Sequence, residues 1–125
     1  MFNILFLISA ILFVVIDFIY LNIIKSYFES QIKIVQGTPL QVNFLGVILC
    51  YIFLIFGLNY FIIKSKRSAY DAFLLGILIY GVFETTNYAL FKNWSIFTVI
   101  LDTLWGGTLF AIVTFIINNM RLLFK

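Results

Sequence analysis

Gly81-Val82-Phe83-Glu84-Thr85-Thr86-Asn87-Tyr88 sets a carboxyl, two hydroxyls, a carboxamide and a phenol inside a run, 70–91, that is otherwise apolar and long enough to cross a bilayer. An ionisable side chain in such a run is costly unless it faces a partner, a cavity or a proton, which makes Glu84 a functional residue by default. Asp17 and Asp102 also lie in apolar runs. Whether the three acids meet is therefore the question the rest of the chain has to answer.

The composition around this stretch is that of an integral membrane protein. The 125 residues are 64% hydrophobic and 20% aromatic but only 10% charged, with a mean hydropathy of +1.15. A water-exposed surface needs far more charge than that. The length accommodates four membrane-spanning helices and little else, so the expected fold is all-α, a single transmembrane four-helix bundle with spans at about 2–24, 40–63, 70–91 and 94–118.

The run 2–24 has no basic leader and carries Asp17, so it is expected to be retained as a span. The connection 25–39 is the longest. Its Tyr27, Phe28, Ile32, Ile34 and Val35 suggest a segment lying along the membrane interface, and Pro39 suits the first turn of the second helix. Lys64, Lys66 and Arg67 end the second span, Asp71 complements the positive end of the third helix, Lys92 and Asn93 make a tight turn, and Trp94 reads as an interfacial anchor. Cys50, alone of its kind, reads as packing, and Tyr51 as core.

Lys64, Lys66, Arg67, Arg121 and Lys125 fall on the side shared by the termini and the second connection, against Lys25, Lys33 and Lys92 on the other. Both termini are accordingly expected in the cytoplasm. The net charge of +3 is topological information of this kind and implies no nucleic-acid partner.

Depth follows from the helical rise. Asp17 lies about 6 Å beyond the middle of its span, Glu84 about 4 to 5 Å beyond its own, and Asp102, on a helix running the opposite way, about 7 Å toward the same side. Azimuth follows from the period. Phe13, Asp17, Tyr20 and Leu21 share one helical stripe, Tyr80, Glu84, Asn87 and Tyr88 a second, and Thr98, Asp102, Trp105 and Gly106 a third. Asp17, Glu84 and Asp102 are thus expected to share one space, surrounded by Tyr20, Tyr80, Asn87, Tyr88, Thr98 and Trp105. Gly76, Gly81, Gly106 and Gly107 allow the third and fourth spans to approach closely.

No Lys, Arg or His lies at that depth, and the chain has no histidine at all. Three carboxyls in a low-dielectric interior with no fixed cation cannot all be ionised, so the group is expected to hold a proton or a cation. Histidine-based metal sites are excluded; the residues name no particular metal, and no cofactor is expected.

Across essentially its whole length the chain resembles a family of small four-span membrane proteins known as domain of unknown function 2177. The resemblance lies in Asp17, Tyr20 and Leu21, in Gly81, Glu84, Thr86, Asn87 and Ala89, in Trp94, and in Asp102-Thr103-Leu104-Trp105-Gly106. The family has tyrosine then aspartate where this chain has Phe83 and Glu84, so the acid is kept on a longer side chain. The resemblance implies the membrane architecture and the importance of these residues, and no activity.

Three functions fit these features. A proton- or cation-coupled transporter of a small or lipophilic substrate would use the acids as an exchange site, and would be expected to associate with copies of itself because four helices enclose little space. A non-catalytic membrane scaffold or assembly protein would use them to fix helix packing. An intramembrane lipid-modifying enzyme would use one carboxyl as general acid and another as base, though no nucleophile with its base stands at a recognisable spacing.

Overall fold

The computed structural model describes residues 3–123. Helix α1 spans Ile4–Ile23, α2 Lys25–Gln36, α3 Phe44–Leu58, α4 Ala69–Leu90 and α5 Ile96–Leu123. Helices α1, α4, α5, and α3 with its continuation to Ile63, are each apolar and long enough to cross a membrane. Side chains close the helix ends: Asn3 accepts from the Phe6 N–H, Asn43 from Gly46 and Ser68 from Asp71.

The starts and stops differ from the sequence reading in three places, one being that the last helix runs on to Leu123, five residues past the expected 118. The second span begins at the Asn43 cap, four residues past Pro39, and Pro39 lies in the non-helical stretch before it. The connection after α1 holds a helix of its own, α2, which Gly37 ends in the left-handed conformation (φ 79°). The Lys92–Asn93 turn is present, with Asn93 at φ 63°.

The last turn of the second span, Asn59–Ile63, is π-helical. Inside it, the Asn59 amide donates to the Ile55 carbonyl (2.9 Å) and to the Ser9 hydroxyl of α1 (3.0 Å). Both side chains are buried, so each provides the partner the other needs.

Helices α4 and α5 form the closest pair, as their glycines predict. A Cβ on Gly76 would lie 2.7 Å from the Gly106 carbonyl carbon and 2.9 Å from the Gly107 Cα, so the two backbones touch without intervening side chains. Beside this seam, Phe13, Leu58, Ala72, Leu109, Phe110, Val113 and Ile117 make the apolar core, with Phe13 edge-on to Phe110 at 5.5 Å. The core fills the half of the bundle nearer the termini. The outside is as apolar as the inside: Phe44 and Phe53 are about three-quarters exposed, which is tenable only where the surrounding solvent is hydrocarbon. Cys50, expected to pack inside, is on this outer face.

Candidate functional site

Asp17 comes from the second half of α1 and is buried. It accepts the Tyr51 hydroxyl of α3 at 2.5 Å and the Trp105 indole N–H of α5 at 2.9 Å. Three residues along α1, Tyr20 donates to Asp102 at 3.4 Å, three residues back along α5 from Trp105. This is the register of an antiparallel pair. The Tyr20 and Trp105 rings stack between the two bonds at 4.3 Å, with 5° between their planes.

Glu84 on α4 is fully buried. Trp94, in the turn before α5, donates its indole N–H to Glu84 Oε1 at 2.9 Å. Among the described residues Oε2 is buried with no donor facing it. Asp102 lies within electrostatic range of Glu84. Asp17 lies within electrostatic range of Asp102. The three acids do not close on a common point, and among the described residues no group of three or more Asp, Glu, Cys or His side chains is placed to hold a metal ion.

The surrounding residues divide. Tyr20 and Trp105 bond to acids, whereas Tyr80 lies within electrostatic range of Asp17 and Asp102 and packs its ring on Gly106. Asn87 is buried on the Glu84 face of α4, but Tyr88 turns outward and is 52% exposed. Thr98 bonds elsewhere: its hydroxyl meets the Tyr27 hydroxyl (2.7 Å) and donates to the Gln31 amide oxygen (3.0 Å), both on α2. Gln31 also accepts from the Ser95 N–H and donates to the Asn93 carbonyl, which seats α2 on the α4–α5 turn.

Two contacts to the acids escaped the sequence reading. Tyr51 stands in an apolar run and reads as core; its partner is fixed only by how α3 is rotated against α1. Trp94 sits at a span boundary, where tryptophan commonly anchors to headgroups, yet it is buried against Glu84. The signal available was its separation of ten residues from Glu84 across a tight turn, which returns the chain to the same depth.

Trp105→Phe is expected to destabilise the bundle by about 1–3 kcal/mol, because it removes a hydrogen bond to a buried carboxyl while keeping most of the ring. Tyr51→Phe should cost a similar amount. Unfolding in mixed micelles followed by circular dichroism reads both. The double variant separates these lost bonds from a general loosening of the core: its effects should be non-additive, because both donors serve Asp17.

Four apolar helices of membrane length, two of them packed through glycines, and buried acids among them define an integral, multi-pass helix-bundle membrane protein. The chain belongs to the family described as Predicted membrane protein (DUF2177), which matches residues 2–118. No curated protein and no solved structure matches it.

Proposed function

We propose that this chain is a small transporter coupling a proton or a monovalent cation to the movement of a small or lipophilic solute, with Asp17, Glu84 and Asp102 as the exchanging group. The observation that carries this reading is Glu84, fully buried in an apolar bundle and within electrostatic range of Asp102, with Oε2 lacking a partner among the described residues. A proton between them supplies the missing bond, and a cation taking its place would supply the missing charge. Tyr20, Trp94 and Trp105 hold the acids in position for that exchange.

A scaffold role is the second reading, supported by Asp17, whose two donors tie α1 to α3 and α5. Infrared difference spectroscopy in lipid separates the two. An exchanging group gives a protonated-carboxyl band that titrates between about pH 5 and 9 and responds to added monovalent cation. Glu84→Gln and Asp102→Asn assign it. A band that does not change across that range favours the scaffold.

We further propose that both termini face the cytoplasm and that the protein works as a homo-oligomer in the bilayer. The basic residues carry the topology. Lys66→Cys should therefore react with an impermeant maleimide only after the cells are opened; labelling of intact cells overturns this orientation.

A further inference from the structure

At the end of the bundle remote from the acids, a cavity of about 570 Å³ opens between the start of α1, the π-helical end of the second span and the end of α5. Lys64, Lys66 and Arg121 line it together with the apolar side chains of Leu5, Phe56 and Ile63. No Asp or Glu lines it among the described residues. The neighbouring Arg67, which is outside the cavity, is neutralised by Asp71 at 3.0 Å. Among the described residues, the three cations that do line the cavity are left without such a counter-charge.

Their placement is fixed by the backbone. The Arg121 guanidinium donates to Asn118 Oδ1 (2.9 Å) and to the Ile63 carbonyl, which ties the end of α5 to the π-helical turn. Lys64 lies over the Tyr60 ring, 5.0 Å from its centre. Lys66 has φ 56°, in the left-handed region that a residue with a Cβ rarely adopts, and its turn is closed by the Lys66 N–H on the Ile63 carbonyl and the Arg67 N–H on the Ile62 carbonyl. Asn59, bonded to Ser9, forms the inner wall.

We propose that this cavity binds the phosphate-bearing headgroup of an anionic membrane phospholipid. The cations complement the phosphate, and the exposed Phe56 and Tyr60 continue the apolar wall outward to where acyl chains lie. Its volume is in the range of sites that take a small ligand. The apolar wall selects a lipid over a free anion, since inorganic phosphate would gain nothing from Leu5, Phe56 or Ile63.

Native mass spectrometry of the full chain, released from vesicles of equal phosphatidylglycerol and phosphatidylcholine, tests this. The protein is expected to retain phosphatidylglycerol preferentially, and Lys64→Gln with Lys66→Gln to weaken that retention about 30-fold, at roughly one charge contribution per lysine. Lys25→Gln with Lys33→Gln, at the other end, should leave it unchanged. Retention by the unsubstituted protein should also fall with added salt, a readout that needs no variant to fold. Equal retention of phosphatidylcholine, insensitivity to both salt and the Lys64/Lys66 change, or displacement of the lipid by millimolar inorganic phosphate would each overturn the assignment.

Discussion

Glu84→Gln is expected to reduce coupled proton flux to the level of protein-free vesicles while the protein still folds and inserts, and Asp102→Asn to do the same. The glutamine carboxamide keeps an oxygen for the Trp94 N–H, so that hydrogen bond survives the change. Stability should shift by no more than about 1 kcal/mol. What the substitution removes is the ability to release and rebind a proton. The measurement is the internal pH of proteoliposomes, read with a trapped dye, under imposed proton and sodium gradients. Flux persisting in both variants would count decisively against the transport reading, and full cellular function of both would place the protein among scaffolds.

The second large effect concerns the seam that holds Glu84 and Asp102 together. Gly76→Ala is expected to destabilise the bundle by about 3 kcal/mol, at the upper end of overpacking costs, because its Cβ meets backbone atoms of Gly106 and Gly107 that no rotamer change can move. Gly107→Ala should cost less, since its Cβ meets side-chain atoms, Ile77 Cγ1 at 2.8 Å and Phe73 Cδ1 at 2.9 Å, rather than the backbone of the facing helix. Gly57→Ala has open space around it and should be neutral or stabilise α3 by about 0.5 kcal/mol. Mixed-micelle unfolding gives the order of the three. An unchanged Gly76→Ala protein would mean that α4 and α5 do not approach as described. Separating these helices also draws Asp102, one turn from Gly106, away from Glu84, so flux should fall with stability in this series.

Much of this architecture is legible in the order of the residues. Runs of about twenty apolar residues leave the backbone no partner in hydrocarbon but itself, so each run must be helical and must cross. Alternating direction and a fixed rise then place Asp17, Glu84 and Asp102 in the same half of the bundle. The contacts of Asp17 with Trp105 and of Tyr20 with Asp102 agree with that depth. The glycines of the third and fourth spans marked the pair that packs closest, because only residues without side chains let two backbones touch.

The tertiary structure decided which donor meets which acid. Local periodicity gives the face of each helix but not its rotation against a neighbour, so Tyr51 was indistinguishable from core until α3 was set against α1 and its hydroxyl reached Asp17. Trp94 likewise depended on how tightly the chain turns after α4, and Thr98 on a short helix, α2, that reaches the α4–α5 turn through Gln31. The π-helical turn at Asn59–Ile63 leaves no periodic signature in an apolar run, and the partner of its Asn59, Ser9, lies fifty residues earlier. Composition and period are properties of one segment at a time, whereas pairing a buried polar group is a property of two, and only the folded chain brings the two together.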